Sequence, residues 1–294
     1  MTLLSLLLLA CTVDPSDGDL SEAGDTDSSQ PEVVTGYQGE EPTYSGTCPD
    51  LSGDDIEGFE SGGIDREFRL LLPDDPVGAP VLFAWHWLGG SPSQAIRYMD
   101  LETAAADGAI VVVPASAGSA FEWLFTASPE GNADLALFDD VRACLYEQYQ
   151  IDLSRVWATG FSAGGLFTSY LTMYRSEALA ATAVFSGGSE PFISYASPAD
   201  PGLPVLLSWG GEDDLFSGLS FNDSTVAFTS ELLGDGHFVI NCDHGGGHTV
   251  PDGGPQYAWE FLVAHPKNPA AEPYQDALPT DFPDWCWLAG DAAQ

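Results

Sequence analysis

Basic residues are scarce in this chain. Its 294 residues include 7 Lys and Arg against 45 Asp and Glu, a formal net charge of −38 at pH 7. Lys267 is the only lysine. Because so acidic a protein repels phosphate groups, the composition argues against a nucleic-acid partner.

The N-terminus lacks both a membrane-spanning helix and a basic region. Its apolar run is far too short to cross a bilayer. An ordinary signal peptide has Lys or Arg before its apolar run, and this chain has neither there. The run nevertheless ends in Leu-Leu-Ala-Cys, which resembles a bacterial lipoprotein signal. We expect a signal at residues 1–10 and a lipid on Cys11. A plain secretory signal or a chance apolar start is the alternative.

Residues 11–44 have little apolar content and are rich in Asp, Glu, Ser, Gly, Thr and Pro. Such a segment cannot bury enough surface to fold. We expect a disordered acidic tether that holds the folded part away from a membrane, or else a leader without function. Residues 45–294 then form a single catalytic domain.

Cysteines number only five. With Cys11 lipidated, an even set remains for two disulfides in an oxidising compartment: Cys48, Cys144, Cys242 and Cys286. The sequence does not choose among the pairings, and unpaired buried thiols are the alternative. Disulfides at Cys48 and Cys286 would clamp the two ends of the domain.

Short apolar runs alternate with helical patterns along the domain. The runs predict strands at residues 68–72, 81–85, 110–113, 156–159, 180–185, 205–208 and 238–240. Helical patterns include residues 135–148, 164–174 and 255–264. This alternation predicts an α/β fold with a mostly parallel central sheet flanked by helices.

One predicted strand-to-helix junction carries a serine. Residues 160–164 read Gly-Phe-Ser-Ala-Gly, the pattern of a sharp turn that lifts a nucleophilic hydroxyl above the sheet in α/β-hydrolases. Small residues are needed there because strand and helix pass close together. We predict that Ser162 is the nucleophile of an enzyme acting on an ester or related acyl bond. A glycine-rich turn without function is the alternative.

A glycine-containing loop follows the strand at residues 81–85. Residues 86–90 read His-Trp-Leu-Gly-Gly, where α/β-hydrolases place an oxyanion-hole loop. Glycines let the chain turn backbone N–H groups toward the developing alkoxide. The predicted donors are the amides of Leu88 and Ala163, and a plain strand-ending turn is the alternative.

The strand at residues 205–208 leads into two glycines and three acids. The acid that orients a catalytic histidine belongs at such a strand end. We assign this role to Asp213, three residues after Gly210, with Asp214 and Glu212 as alternatives.

A glycine loop with two histidines follows the strand at residues 238–240. His248 is the predicted general base, since the order Ser162, Asp213, His248 is that of α/β-hydrolases, and His244 is its competitor. Metal binding is a second competitor, through Cys242, Asp243, His244 and His248. No second ligand cluster is evident, so we expect no metal and no cofactor.

Tryptophans stand at several predicted strand ends and loops. Wide apolar rings can stack on an aromatic acyl group or line an apolar groove. We predict that Trp87, Trp123 and Trp209 bind substrate, with packing in the core as the alternative.

The segments Gly-Phe-Ser-Ala-Gly-Gly, His-x-x-Gly-Gly and Gly-Gly-Gly-His-Thr-x-Pro together resemble the extracellular polyhydroxybutyrate depolymerase and feruloyl esterase family. The resemblance covers residues 62–266. It implies a secreted α/β-hydrolase in which Ser162, Asp213 and His248 form the triad. The chain departs from the family pattern at Trp87 and Trp209, where family members often have other residues. Those departures bear on the substrate more than on the reaction.

The expected protein is thus a carboxylic-ester hydrolase, secreted and lipid-anchored at a bacterial cell envelope. Its substrates would be hydroxyalkanoate oligomers or feruloyl and acetyl esters of polysaccharide. We expect a monomer whose partners are the ester and, through the anchor, a membrane. A serine peptidase on the same fold and a catalytically silent cell-surface binding domain are the alternatives.

Overall fold

The computed structural model describes residues 40–290. The predicted signal, Cys11 and residues 11–39 of the predicted tether lie outside these residues. At the start of the described part, the ring of Tyr44 stacks on Phe59 with 5.4 Å between centroids. The Tyr146 hydroxyl donates a hydrogen bond to Glu41. The last residues assigned to the tether therefore contact the folded domain.

A nine-stranded, mostly parallel sheet forms the centre of the domain. In chain order the strands are β1 (Asp55–Ser61), β2 (Ile64–Leu71), β3 (Val81–Trp85), β4 (Ile110–Pro114), β5 (Val156–Phe161), β6 (Ala181–Phe185), β7 (Val205–Trp209), β8 (Leu215–Phe216), β9 (Leu219–Ser220), β10 (Val239–Asp243) and β11 (Cys286–Leu288). The spatial order is β1-β2-β4-β3-β5-β6-β7-β10-β11, and β8 and β9 form a separate hairpin. The six strands from β4 to β10 in this order are parallel, whereas β1, β2 and β11 pair antiparallel at the edges.

Helices cover the sheet, as the α/β prediction requires. They are α1 (Pro92–Tyr98), α2 (Leu101–Ala106), α3 (Ala133–Tyr149), α4 (Ala163–Tyr174), α5 (Phe221–Gly234) and α6 (Gly254–Ala264). Successive strand residues point to opposite faces of the sheet. Phe83 of β3 accordingly joins one apolar core, while its neighbours Leu82 and Ala84 join the other. The predicted fold class is confirmed, although no pattern predicted β1, β11, α1, α2 or α5.

Within residues 40–290, every helix is too short or too polar to cross a membrane.

Two disulfides tie chain segments to the sheet and its helices. Cys48 bonds to Cys144 of α3 across 96 residues of sequence. Cys242 bonds to Cys286, its cross-strand neighbour between β10 and β11. Each bond fastens a segment near one end of the domain, and Cys48 and Cys286 belong to two separate bridges.

The Cys48–Cys144 bridge should stabilise the domain against unfolding, because it closes a long loop in the unfolded chain. We expect the double variant Cys48→Ala/Cys144→Ala to lose about 2–4 kcal/mol of unfolding free energy. Urea denaturation without reductant measures this change. An unchanged midpoint, or free thiols at these positions in the unfolded native protein, would contradict the pairing.

Candidate active site

The ends of four parallel strands bring the candidate residues together. Strands β5, β6, β7 and β10 lie side by side in that order, so their carboxyl ends share one edge of the sheet. Ser162 follows β5, and His248 lies in the loop after β10. Open α/β sheets bind ligands at the carboxyl ends of their strands.

Ser162 occupies a strained turn between β5 and α4. Its φ of 59° and ψ of −119° are unusual for a residue with a side chain. The chain can turn here because glycines lie two residues away on each side, at Gly160 and Gly164. A Cβ on Gly164 would lie 1.9 Å from the Trp85 carbonyl oxygen, and one on Gly160 2.3 Å from the Gly164 oxygen. The Ser162 amide donates to the Phe185 carbonyl of β6 at 3.0 Å, which ties the turn to the sheet.

Ser162 and His248 are in hydrogen-bond contact. The Ser162 Oγ lies 2.9 Å from His248 Nε2. The other ring nitrogen, His248 Nδ1, lies 2.6 Å from Oδ1 of Asp214. The three side chains therefore form one continuous hydrogen-bonded chain from a carboxylate to a serine hydroxyl.

The carboxylate that contacts the histidine belongs to Asp214, and our choice of Asp213 was wrong in this respect. Residues Gly211–Asp213 form a 3-10 turn after β7, and the Asp214 amide donates to the Gly211 carbonyl. Asp213 and Glu212 are exposed, whereas Asp214 is fully buried. One extra residue of turn thus brings the third acid of the run under the histidine.

The imidazole of His248 is held between two aromatic rings. Phe221 stacks on it with centroids 4.5 Å apart and an angle of 25° between planes, and Phe161 lies at 4.9 Å with 34°. The loop behind the ring is fixed by Tyr98. Its hydroxyl lies 2.8 Å from Thr249 Oγ1 and accepts a hydrogen bond from the Val250 amide.

His244, the competing base, has other contacts. Its ring packs edge-on against Trp285 at 5.8 Å, and its Nδ1 accepts from the Gly246 amide. Burial lowers the pKa of His244. Cys242, one of the four residues considered above as metal ligands, is in a disulfide. Within residues 40–290, no group of three or more His, Cys, Asp and Glu side chains is arranged to hold a metal ion.

The two predicted oxyanion donors line the same space as Ser162. Leu88 and Ala163 both border the cavity beside the serine. Ala163 is the first residue of α4, so its N–H has no acceptor within the helix. Neither amide donates to a protein acceptor within residues 40–290. Both N–H groups are therefore available to a ligand.

The loop that carries Leu88 is held by Glu122. The Gly89 amide donates to Glu122 Oε1 at 2.9 Å, and Glu122 itself has a left-handed φ of 67°. Burial alone would raise the pKa of the Glu122 carboxyl, but hydrogen bonding from Ser116 and Gly89 and the nearby His86 hold it below its usual value. Near neutral pH the carboxylate is therefore ionised and a strong acceptor for the loop amide.

An apolar cavity of about 500 Å³ opens beside Ser162. Five phenylalanines and several aliphatic side chains form most of its wall: Phe121, Phe125, Phe192, Phe216, Phe221, Leu88, Leu166 and Leu219. Phe216 and Leu219 come from the β8–β9 hairpin that follows Asp214. A cavity of this size and lining suits an apolar group of a small ligand.

None of the three predicted tryptophans lines this cavity. Trp123 is buried and packs on Trp85, with its indole N–H donating to the His86 carbonyl. Trp209 is also buried, and its indole N–H donates to Asn222. Trp87 is half-buried against Tyr98. These tryptophans pack against other side chains, and five phenylalanines line the cavity instead.

Comparison with known proteins extends this picture. A sequence model described as the Dienelactone hydrolase family matches residues 109–236, which include Ser162 and Asp214. Feruloyl esterase C of Emericella nidulans is 26% identical over 233 residues, 68% of this chain and 84% of that protein. Feruloyl esterase B of Thermothelomyces thermophilus is 29% identical over 166 residues, 54% of this chain and 56% of that protein. The chain spans about half the length of several curated relatives it matches.

Solved structures agree with the fold. Native pOPH has a TM-score of 0.67 at 21% identity, over 85% of this chain and 97% of that one. Native sOPH also gives 0.67, at 19% identity, over 84% and 96%. A thermostable esterase gives 0.53 at 20% identity, over 73% and 64%. At these identities the likeness concerns the fold. The resemblance that the motifs indicate is confirmed at this level: the chain has an α/β-hydrolase fold and is similar in sequence to the Dienelactone hydrolase family and to feruloyl esterases.

Proposed function

We propose that this protein is a carboxylic-ester hydrolase that forms an acyl-enzyme on Ser162. The observation that carries the proposal is the hydrogen-bonded chain from Asp214 through His248 to Ser162, beside an apolar cavity. In such a chain the histidine takes the serine proton as the serine attacks, and then gives it to the leaving alcohol. The buried carboxylate keeps the imidazole in the required tautomer and orientation.

The amides of Leu88 and Ala163 would hold the oxyanion of the tetrahedral intermediate. Donors placed in advance stabilise charge that develops only in the transition state. Water then attacks the acyl-enzyme with His248 again as the base, and the carboxylic acid leaves. The reaction draws on side chains and backbone amides alone, so the proposal includes no metal and no cofactor.

We propose further that the acyl group enters the phenylalanine-lined cavity. A feruloyl-type ring would bury its faces against side chains such as Phe192 and Phe216. An acetyl group would leave most of a cavity of about 500 Å³ unfilled. Its contacts with the cavity wall would therefore contribute little binding free energy. The lining therefore favours an aromatic acyl ester, with apolar hydroxyalkanoate oligomers as the next choice and acetyl esters last.

Two disulfides support a location in an oxidising compartment outside the cytoplasm. A lipid on Cys11 and a monomeric state belong to the same proposal. A serine peptidase would cleave peptides in preference to esters, and a silent binding domain would turn over neither. Assays of the native protein on a set of esters and a set of peptides separate these alternatives from the esterase.

Asp214 should carry the acid's role, and Asp213 provides the matched control one residue away. Asp214→Asn would leave His248 in the wrong tautomer, so we expect kcat to fall by about 10³–10⁴-fold. Asp213→Asn removes an exposed carboxylate and should leave kcat nearly unchanged. Steady-state kinetics on a nitrophenyl ester, with melting curves to check folding, measures both. The opposite ranking of the two variants would refute the assignment.

The cavity should determine selectivity for the acyl group. We expect Phe216→Ala to lower kcat/KM for methyl ferulate by about 10-fold, since an apolar contact of this size contributes roughly 1–2 kcal/mol. A nitrophenyl acetate should be much less affected, because its acyl group does not reach Phe216. Leu215→Ala is the control, an exposed hairpin residue outside the cavity wall. Equal losses of kcat/KM on both esters would show that Phe216 does not contribute to selectivity for the acyl group.

A further inference from the structure

Ser186 stands between the nucleophile and the acid at the same edge of the sheet. It follows β6, whose neighbours are β5 and β7, the strands that lead to Ser162 and Asp214. Its amide donates to the Ser208 carbonyl of β7 at 2.8 Å. The residue is fully buried, and it does not line the acyl cavity.

The backbone of Ser186 adopts a left-handed conformation, with φ of 46°. Glycine takes this conformation at little cost, whereas a residue with a Cβ is strained there. Gly187 and Gly188 follow directly, so the chain has glycines at hand in this turn. A buried serine at a strained backbone position indicates that its hydroxyl has a structural or functional role.

That hydroxyl donates to the carboxylate that contacts His248. Ser186 Oγ lies 2.7 Å from Asp214 Oδ2, and the Gly210 amide donates to the same oxygen at 2.9 Å. The other oxygen, Oδ1, faces His248 Nδ1 at 2.6 Å. Because Asp214 has no exposed surface, these protein groups take the place of water around the carboxylate.

We propose that Ser186 is a positioning residue that fixes the rotation of the Asp214 carboxylate, an inference that rests on the proposed function. With two donors on Oδ2 and the histidine on Oδ1, the carboxylate plane is held against rotation away from His248. Without the Ser186 hydroxyl, Oδ2 keeps one donor and part of its charge is left without a partner. The imidazole is then less firmly aligned with Ser162, while the acyl cavity is untouched.

The test is the pair Ser186→Ala and Ser186→Gly. Loss of a hydrogen bond to a buried charge should lower kcat by about 10- to 100-fold in both variants, with KM for nitrophenyl acetate and methyl ferulate nearly unchanged. Glycine also relieves the backbone strain at φ of 46°. The glycine variant should therefore melt no lower than the alanine variant and still show the loss of kcat.

Ser208→Ala is the matched control. Ser208 is a buried serine at the end of the adjacent strand, and its hydroxyl bonds to Tyr257 rather than to Asp214. Its removal should cost stability with kcat nearly unchanged. The proposal is overturned if Ser186→Ala keeps kcat within about threefold of the native value, or if the loss appears equally in Ser208→Ala.

A spectroscopic readout separates this proposal from the proposed function. The low-field proton resonance of His248 Nδ1–H reports its hydrogen bond to Asp214, and Asp214→Asn identifies it by removing the signal. We expect Ser186→Ala to shift or broaden this resonance and Ser208→Ala to leave it in place. If the native protein turns over no ester, the proposed function fails. The resonance then decides the role of Ser186, and an unaltered signal in Ser186→Ala overturns it.

Discussion

The site depends on the close approach of α4 to the ends of β3 and β5. No side chain fits at Gly164, where a Cβ would meet the Trp85 carbonyl at 1.9 Å. This approach forces the sharp turn at Ser162, aims its hydroxyl away from the sheet and places the N-terminus of α4 at the same point. The positive end of a helix and the free amide of Ala163 therefore lie beside Ser162, where the proposed mechanism places the oxyanion. A larger residue at Gly160 or Gly164 would displace Ser162 and the Ala163 amide together.

Parallel pairing supplies the second constraint, because it collects the ends of β5, β6, β7 and β10 at one edge. Residues distant in sequence are therefore held close together at this edge. Aromatic packing against Phe161 and Phe221 then fixes the orientation of the His248 ring. Phe221 contacts three parts of the site at once. Its ring stacks on His248, borders the acyl cavity, and its amide donates to the Asp214 carbonyl. A ligand in the cavity would therefore press against the same ring that orients the base.

Much of this arrangement can be read from the sequence. The buried strands appear as short apolar runs because both faces of a central parallel strand are covered. Ser162 and His248 follow from glycine-rich segments and their order along the chain. The edge strands β1 and β11 lack such runs, because edge strands are only partly covered. The helical pattern did not predict α1, α2 or α5 either.

The remaining features depend on contacts that no local pattern encodes. Three consecutive acids follow β7, and only the 3-10 turn at Gly211–Asp213 selects Asp214. Tryptophans at strand ends can face the site or the core with equal local propensity, and tertiary packing buried Trp123 and Trp209. Much of the cavity wall comes from loops and from a hairpin of two-residue strands, which are too short for periodicity to detect. Ser186 lies in no sequence motif, and only its backbone conformation, burial and hydrogen bond to Asp214 in the structure distinguish it.

The central claim is that acyl transfer passes through Ser162. The most direct measurement is mass spectrometry of the native protein after rapid acid quench of its reaction with a nitrophenyl ester, followed by peptide mapping. The account predicts one added acyl group, located on the peptide that contains Ser162, and no adduct on the Ser162→Ala protein. Ester turnover that continues in a folded Ser162→Ala protein, or an acyl group found on another residue, would contradict it.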